Sequence, residues 1–518
     1  MKQIFKDYIT TIIKYLIAIG LVVYSSIFYG TYPYLLFGLF ELIIVFSVSQ
    51  FALSKNKVLG NIISGLLLFA FMVDYIIYIF CDTFFAMIML ENISQLMTLG
   101  SSLFIYIPSV LVLLVIAFLP TKEVKFKRRN YLLLLIIPYL LLNIFFNNRY
   151  SVYKNYVVVG KQCVNKIIIK HKMNKYQSST RFNSHSDSDN KNYKVKNNPN
   201  VIIIFTEGLS KHVIEDERNI MPNTKKYMNE SINFDNYYNH TAATFRGVMG
   251  QLYSGYQYEN LDHNSLVGMH DMLKEHGYTS EFINIELRNK DWTNYVYKLN
   301  FDTVKTIDNK PYLTDEEGYD LLYDEAIRLN KEDEPFILGI YTMETHTGWE
   351  VKTNKYGDGK SKMLNKYYNN DVQFGKFMDK YKNSELYKNT IIVYTTDHAT
   401  YADWDYNNTF KDNNRECIFL DEIPFFIYYK GVKPITIDVD GRNSLDMAPT
   451  VLDLLDIFGD NAFLGDSLFD SNNTSKYDHY FAYPGVYYST FNSKIKNEEK
   501  NKEFIEDTIE YCAVARKG

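Results

Sequence analysis

The sequence is poor in cysteine and has little net charge, and each shortage excludes a class of protein. Only four cysteines occur in 518 residues, and no two of them have the CxxC spacing. This excludes a zinc ribbon and a small scaffold held together by many disulfides. The formal net charge of -5 argues against nucleic acid as the main partner, because nucleic-acid binding depends on basic surfaces. No internal repeat occurs.

Charged residues are also rare in the first part of the chain. An apolar run of roughly 18 residues or more can cross a bilayer. Five such runs, the last two slightly short, lie at residues 8–29, 34–53, 58–80, 103–119 and 130–146. One soluble core does not need five apolar runs in succession. We therefore predict a transmembrane domain of about five helices at residues 1–147.

Lysine and arginine are missing from two of the loops between these runs. The loops near residues 30–33 and 81–102 have neither, whereas the N-terminus and the loops after the second and fourth runs are basic. Basic loops lie on the cytoplasmic side, so five spans would leave the rest of the chain outside the cytoplasm. The first run lacks a small-residue cleavage site and is predicted to stay uncleaved. Two acids inside the spans, Glu41 and Asp74, suit either a head-group role or helix pairing.

Apolar residues are scarce again at residues 170–200, which are rich in Lys, Asn, Ser, His and Asp. This composition predicts a flexible connector, and the preceding residues 153–169 are predicted to form a juxtamembrane helix. We assign residues 148–199 to this juxtamembrane segment and linker. Residues 200–518 are assigned to a soluble domain.

Short apolar runs alternate with helix-like segments in the soluble domain. The predicted strands are residues 201–205, 280–285, 336–341, 390–394 and 424–429. Such alternation predicts an α/β fold with a mainly parallel sheet and helices on both faces. Ligands of these sheets bind at the carboxyl ends of the strands, so the residues that follow each strand are the first candidates for a site.

Acidic and histidine side chains follow two of the predicted strands. Glu207 comes after the first strand, and Asp397 and His398 come after the strand at 390–394. These side chains are suitable ligands for a divalent cation. Either acid alone could instead cap a helix, but matching positions on two core strands favour a metal site.

A helix-like run between these ligands begins with hydroxyl side chains, Thr241 and Thr244. A hydroxyl at a helix N-terminus is well placed to attack a phosphate. The N–H groups there stabilise an anion, and a metal lowers the pKa of the hydroxyl. Either threonine could instead serve only as an N-cap.

Residues 200–469 resemble the sulfatase family of the alkaline phosphatase superfamily, because eight blocks occur in that family's order. They are NVIIIFTEGLS (200–210), MPNT (221–224), residues 244–255, LKEHGY (273–278), THTG (345–348), NTIIVYTTDHA (389–399), DMAPTVLD (446–453) and FLGDSLF (463–469). Sulfatases modify a Cys or Ser in a C/S-x-P-x-R context to formylglycine. This chain has Thr244 at that place and no proline. Threonine cannot become formylglycine, but it can be phosphorylated.

With the membrane spans, the resemblance is to the branch of lipoteichoic acid synthases and phosphoethanolamine transferases. It implies a membrane-bound transferase that moves phosphoglycerol from a phospholipid such as phosphatidylglycerol, through a phospho-threonine, to a cell-surface glycan or glycolipid. Ethanolamine phosphate is an alternative group, and hydrolysis by a sulfatase-like phosphodiesterase is an alternative reaction. A degenerate membrane scaffold is the alternative from another class.

The resemblance also implies roles for single residues. Four positions match the family's metal ligands: Glu207, Thr244, Asp397 and His398. Thr244 would be the nucleophile, and the one divalent metal is expected to be Mn²⁺, with Zn²⁺ or Mg²⁺ as alternatives.

Four further residues are candidates for substrate contacts: His346, Arg246, Trp292 and Arg288. His346 matches a histidine that binds the substrate phosphate, and Arg246 either contacts the phosphate or lies on the surface. Trp292 and Arg288 stand where lipoteichoic acid synthases have a Trp-Asn-Arg head-group block, but their spacing differs, so the head group stays open. Trp292 is either a wall of the head-group pocket or a buried aromatic.

Overall fold

The computed structural model describes residues 2–28, 32–81, 83–91, 93, 103–124, 134–145, 150–174, 181–186, 192–260, 262–307, 310–346, 349–410, 415, 417–470 and 475–516. The chain divides into two compact units, Met1–Asn165 and Lys166–Gly518.

The first unit is helical. Its helices are α1 (Lys2–Phe28), α2 (Tyr32–Lys55), α3 (Lys57–Cys81), α4 (Met87–Glu91), α5 (Leu103–Ala117) and α6 (Ile136–Phe145), and α7 (Val152–Met173) contains the unit boundary. Three stretches are long and apolar enough to cross a membrane: Tyr8–Ile27, Tyr32–Lys55 and Lys57–Phe80. Within the described residues, the fourth and fifth predicted runs form shorter helices of 15 and 10 residues. Among the described residues, three helices therefore have full spanning length, and the apolar helices α5 and α6 are shorter.

Glu41 links three helices of this unit. Its carboxylate is fully buried in α2. It accepts hydrogen bonds from the Tyr139 hydroxyl at 2.6 Å, the Ser151 hydroxyl at 2.5 Å and the Val152 backbone N–H at 3.1 Å. A buried carboxylate needs such partners, so these contacts favour helix pairing as the role of Glu41.

The second unit is built on an eight-stranded sheet. Its strands are β2 (Asn200–Thr206), β3 (Ile232–Asp235), β4 (Thr279–Ile283), β5 (Thr303–Lys305), β6 (Phe336–Tyr341), β7 (Thr390–Thr396), β8 (Phe426–Tyr428) and β9 (Ile435–Asp438). The strand order is β5-β4-β6-β2-β7-β8-β3-β9. The strands from β5 to β7 are parallel, and β8 runs antiparallel to both of its neighbours. The predicted mainly parallel sheet is confirmed.

The centre of the sheet is the pair β2 and β7, which are buried along their whole length. Their β-branched side chains suit a strand that is covered on both faces. In the parallel register Val201 pairs with Ile391 and Thr206 with Thr396. The two strands therefore end side by side.

Helices and two small sheets complete the second unit. The helices are α8 (Lys211–Glu215), α9 (Pro222–Asn229), α10 (Thr244–Tyr253), α11 (Met269–Glu275), α12 (Lys290–Tyr297), α13 (Asp315–Leu329), α14 (Lys362–Lys382), α15 (Trp404–Thr409), α16 (Met447–Leu454) and α17 (Lys502–Ala515). One small sheet pairs β1 (Ser184–Ser186) with β10 (Gly459–Asn461), and the other joins β11 (Tyr480–Tyr483), β12 (Val486–Ser489) and β13 (Lys496–Asn497).

The described parts of the predicted linker are packed rather than extended in solvent. Met173 and Phe182 are buried in a cluster that includes Tyr511 of α17. Further along, the Lys194 ammonium lies 2.7 Å from a carboxylate oxygen of Asp453. These described stretches of the segment therefore belong to the second unit, although their polar composition predicts a flexible connector.

Candidate active site

The carboxyl ends of β2 and β7 bring together side chains that are far apart in sequence. Glu207 directly follows β2, and Asp397 and His398 directly follow β7. Because the two strands are adjacent, parallel and in register up to their last residues, these three side chains meet at one edge of the sheet. This is the edge at which ligands of such sheets bind.

Glu207, Asp397 and His398 form a buried cluster with the spacing of metal ligands. The Nε2 atom of His398 lies 3.5 Å from Oε1 of Glu207 and 3.4 Å from Oδ2 of Asp397. One ligand atom from each residue lies within 4.8 Å of the others. The Thr244 hydroxyl donates to Oε2 of Glu207 at 3.0 Å. The structure thus brings together all four of the predicted ligands.

The surroundings of Asp397 and His398 prepare them to hold a cation. Oδ1 of Asp397 accepts the backbone N–H groups of Gly208 and His398, both at 2.8 Å. The other oxygen, Oδ2, is buried and has no hydrogen-bond donor in the described part of the chain. Nδ1 of His398 lies 2.8 Å from the carbonyl oxygen of Ala399, so Nδ1 carries the proton and Nε2 presents its lone pair to the cluster. An orphaned buried carboxylate oxygen beside a free imidazole lone pair fits a divalent cation.

The two carboxylates of the cluster differ in their preference for a proton. Burial and the nearby charge of Glu207 raise the pKa of Asp397 well above its ordinary value. Burial also opposes the ionisation of Glu207. Nevertheless, the charge of His346 and a hydrogen bond from Tyr341 hold the pKa of Glu207 below its ordinary value. A cation between the two groups would favour the ionised form of both.

Thr244 is the first residue of α10 and is half-buried. The residue before it, Ala243, has a φ of +71°, a region that costs about 1–3 kcal/mol for a residue with a side chain and that occurs often at functional sites. Thr241 is placed differently, since its buried hydroxyl donates to the carbonyl oxygen of Ala482 at 2.8 Å. Of the two candidate hydroxyls, Thr244 is therefore the one that contacts Glu207.

Gly247 lets the first turn of α10 approach the cluster of Glu207, Asp397 and His398. A Cβ atom at this position would overlap the backbone carbonyl of Asp397. Only glycine therefore allows α10 to pass this close to the end of β7, which is the packing that brings Thr244 to Glu207.

Two residues outside the predicted set of site residues also hold Glu207. The Tyr341 hydroxyl donates to its carboxylate, and the Thr345 hydroxyl donates to its backbone carbonyl at 2.6 Å. Tyr341 is the last residue of β6, the other neighbour of β2. The rule of strand carboxyl ends, applied to the strand at 336–341, would have pointed to it.

His346 lies in a turn after β6, and its side chain is exposed. Its backbone N–H donates to the carbonyl of Met343 at 3.1 Å, and its own carbonyl accepts from the ammonium of Lys366 at 2.9 Å. Its charge acts to lower the pKa of Glu207 and of Glu286. His346 therefore stands close to the metal cluster, at its exposed side.

Trp292 is buried in α12. Its ring centroid lies 4.9 Å from that of Tyr341 and 5.4 Å from that of Phe245. Trp292 is thus a buried aromatic that packs behind Tyr341, which touches Glu207, and Phe245, which adjoins Thr244.

Arg288 is partly exposed and lies over two aromatic rings. Its guanidinium is 4.4 Å from the ring centroid of Trp349 and 5.1 Å from that of Tyr312, and its Nε is 3.3 Å from a carboxylate oxygen of Glu286. Glu286 responds to the charges of both His346 and Glu207. Arg288 comes after β4, which lies two strands from β2, and it thus follows the carboxyl end of a parallel strand of the same sheet.

Arg246 is not part of the cluster formed by Glu207, Asp397 and His398. Its side chain is 1% exposed, so it is not a surface residue. Its Nη2 donates to the carbonyl of Tyr258 at 2.7 Å, and its guanidinium lies 4.9 Å from the centre of the Tyr483 ring. These contacts hold α10 within the core.

The eight-stranded sheet carries a cluster of candidate metal ligands at the carboxyl ends of its central strands, and the hydroxyl at the start of α10 lies beside this cluster. These features define an alkaline-phosphatase-like domain. The family model named Sulfatase matches residues 199–457, which is half of the chain. The chain belongs to the sulfatase family.

A curated relative is the lipoteichoic acid synthase-like protein YvgJ of Bacillus subtilis (strain 168), which is 23% identical over 325 residues. The alignment covers 54% of this chain and 52% of YvgJ, so the chain spans about half the length of that relative.

Solved structures share the fold. A protein of the alkaline phosphatase superfamily from Vibrio parahaemolyticus has a TM-score of 0.53 at 19% identity, covering 68% of this chain and 93% of that one. The lipoteichoic acid synthase LtaP of Listeria monocytogenes has a TM-score of 0.51 at 16% identity, covering 64% and 94%. The membrane protein lipooligosaccharide phosphoethanolamine transferase A (EptA) of Neisseria meningitidis has a TM-score of 0.51 at 15% identity, covering 83% and 90%.

The family and the three long apolar helices together indicate a membrane protein with an extracytoplasmic catalytic domain. The distribution of basic loops along the sequence agrees with this orientation.

Proposed function

We propose that this chain is a metal-dependent membrane phosphotransferase that moves phosphoglycerol from a phospholipid to a cell-surface glycan or glycolipid through phospho-Thr244. One observation carries the proposal: the Thr244 hydroxyl lies 3.0 Å from Glu207, inside the cluster of Glu207, Asp397 and His398. The names of YvgJ and LtaP, both lipoteichoic acid synthases or like them, support this choice of transferred group.

Glu207, Thr244, Asp397 and His398 would hold one divalent metal, which we propose to be Mn²⁺. When bound, the metal would lower the pKa of the Thr244 hydroxyl and offset charge on the phosphate oxygens. A donor set of mostly oxygen with one imidazole accommodates Mn²⁺, Zn²⁺ or Mg²⁺, so metal analysis has to identify the ion.

In the first half-reaction, the Thr244 oxygen attacks the phosphorus of the lipid head group. The Thr244 proton is released to solvent water, because the lowered pKa of Glu207 makes its carboxylate a poor base. A bond from Oγ1 to phosphorus forms, and the bond from phosphorus to the diacylglycerol oxygen breaks. His346 protonates that oxygen, and diacylglycerol leaves as an alcohol.

In the second half-reaction, a hydroxyl of the acceptor attacks phospho-Thr244. His346, now neutral, removes the proton of this hydroxyl. The bond from phosphorus to Thr244 breaks, and the Thr244 oxygen takes up a proton from solvent water. Phosphoryl transfer of this kind depends mainly on positioning and on electrostatic stabilisation.

The proposed substrate contacts follow from this scheme. His346 and Arg288 would bind the phosphate and head group from the exposed side, with Trp292 as a wall behind them, whereas Arg246 would act only through the packing of α10. The proposed domains are a membrane part at 1–147, a connecting part at 148–199 and a catalytic part at 200–518. A membrane anchor raises the effective concentration of a lipid donor at the site.

The test is the intact mass of full-length protein in nanodiscs that contain phosphatidylglycerol, after incubation with Mn²⁺ and without acceptor. We expect the mass of one glycerol phosphate on the peptide that contains Thr244. Thr244→Val, which keeps the shape of the side chain without its hydroxyl, should carry none, whereas Thr244→Ser should be modified.

Three outcomes of this test distinguish the alternatives. An adduct only with phosphatidylethanolamine nanodiscs would replace glycerol phosphate by ethanolamine phosphate and keep the mechanism. Adduct formation that is unchanged in Thr244→Val would refute the nucleophile, and free glycerol phosphate without any adduct would favour a hydrolase.

A further inference from the structure

Lys366 of α14 is a buried cation that no motif indicated. Its side chain is 6% exposed. Its ammonium donates to the backbone carbonyl of His346 at 2.9 Å, across 20 residues of sequence. It therefore links the middle of the second unit's core to the turn that carries His346.

An ammonium in this position has an energetic cost. Burial lowers the pKa of Lys366, and the carboxylates of Asp403, Asp405 and Glu207 act in the opposite direction. A methionine has a similar length and would fill the space without the cost of removing a charge from water. Core packing alone thus gives no reason for a lysine here.

The turn that Lys366 holds is braced through both backbone groups of His346, its N–H and its carbonyl. The N–H of His346 donates to Met343, and its carbonyl accepts from Lys366 and also from the N–H of Trp349 at 3.3 Å. These backbone contacts fix the position of the His346 Cα atom, from which the imidazole extends. The charge of the imidazole reaches Glu207 and Glu286.

We infer that Lys366 is a positioning residue for His346: it fixes the turn from which the imidazole handles protons at the site, and it adds positive charge beside a phosphate-bearing substrate. The role of His346 within this inference depends on the proposed function. The bracing of the turn does not, and it can be measured separately.

The first measurement is amide hydrogen exchange of the full-length protein in nanodiscs. In Lys366→Met, we expect the amides of His346 and Trp349 to exchange at least about tenfold faster, since the His346 carbonyl loses its brace. Lys366→Arg, which keeps a cationic donor, should exchange more slowly than Lys366→Met. Lys376→Met removes an exposed lysine of the same helix that pairs with Glu316, and it should match the wild type. Unchanged exchange in Lys366→Met would overturn the inference.

The second measurement is a double-mutant cycle on the rate of adduct formation with phosphatidylglycerol. We expect Lys366→Met and His346→Gln each to slow the maximal rate at least about tenfold. The double variant should be no slower than His346→Gln alone, because both changes remove the same contribution. Multiplicative losses would show that Lys366 acts independently of His346 and would overturn the positioning role.

These readouts separate the two proposals. A wild type that never forms an adduct would refute the proposed function, and hydrogen exchange would still decide whether Lys366 braces the turn. A wild type that forms the adduct, together with a Lys366→Met variant that equals it in rate and exchange, would refute only the role of Lys366.

Discussion

At the scale of single residues, the candidate site depends on groups that hold the proposed ligands in place. Glu207 receives a hydrogen bond from Tyr341 through its carboxylate and another from Thr345 through its carbonyl. Partners of this kind orient a ligand and usually change metal affinity by about 10–100-fold when they are removed. The sequence motifs identify the ligands but not these partners.

The substitution Tyr341→Phe removes only the hydroxyl that donates to Glu207. We expect Mn²⁺ affinity to fall about tenfold or more, with the fold intact, as measured by calorimetric titration of the metal-free protein. Tyr381→Phe is the matched control, because the buried Tyr381 hydroxyl donates at 2.7 Å to Thr390, at the other end of β7. Equal affinity in the two variants would argue against a role for Tyr341 at the metal site.

At the scale of elements, α10 and β7 determine the geometry of the site through one close approach. Gly247 lies where a side chain would overlap the backbone of Asp397. Ala243, with its strained backbone, and Thr244 lie at the start of this same turn of α10.

Gly247→Ala should therefore separate α10 from the end of β7. We expect a loss of stability of about 1–3 kcal/mol from overpacking, together with loss of the Thr244 adduct. All three tryptophans, Trp292, Trp349 and Trp404, lie in the second unit, so tryptophan fluorescence during thermal unfolding reports on this unit.

The control for this experiment is Gly318→Ala in α13, where a Cβ would make ordinary contacts. Alanine is favoured over glycine inside a helix, so this variant should be at least as stable as the wild type. A Gly247→Ala variant that is as stable and as reactive as Gly318→Ala would contradict the close-packing argument.

The sequence predicts the core strands because their signal is local. The runs at 201–205, 336–341 and 390–394 are continuous, apolar and rich in β-branched residues, and they correspond to β2, β6 and β7. The edge strands β5 and β9 are short and partly exposed, so they give no such run. The antiparallel direction of β8 depends on a long connection, which no local pattern specifies.

The site residues also divide into those that a local sequence signal predicts and those that only tertiary packing brings to the site. Glu207, Asp397 and His398 directly follow predictable strands, so their meeting can be inferred from the sheet. Lys366 lies in the middle of a helix and reaches the site only through tertiary packing. Arg246, next to a predicted phosphate-binding helix end, instead turns into the core, and only the three-dimensional packing reveals this.

At the scale of the whole molecule, the arrangement of spans determines which side of the membrane the catalytic unit occupies. The basic loops and the family both place this unit outside the cytoplasm. A topology with an even number of spans would instead leave the second unit on the same side as the N-terminus.

Single-cysteine variants on a background without the native cysteines test this orientation. We expect a membrane-impermeant thiol reagent to label Lys433→Cys, an exposed position of the second unit, on intact cells. Lys55→Cys, an exposed position between the second and third helices, should be labelled only after the cells are opened. Labelling of Lys55→Cys on intact cells would reverse the topology.

The pairing of β2 with β7 also has a consequence for biosynthesis. These neighbouring strands are joined by hydrogen bonds between residues 190 positions apart, as at Thr206 and Thr396. Contacts of such long range form late, after the intervening chain is available. As the chain is exported, Glu207 and Thr244 emerge well before Asp397 and His398, so the ligand set is incomplete until most of the polypeptide has crossed. Under the proposed function, the metal would then be captured late, on the outer side of the membrane, and the chain would be inactive until its export is complete.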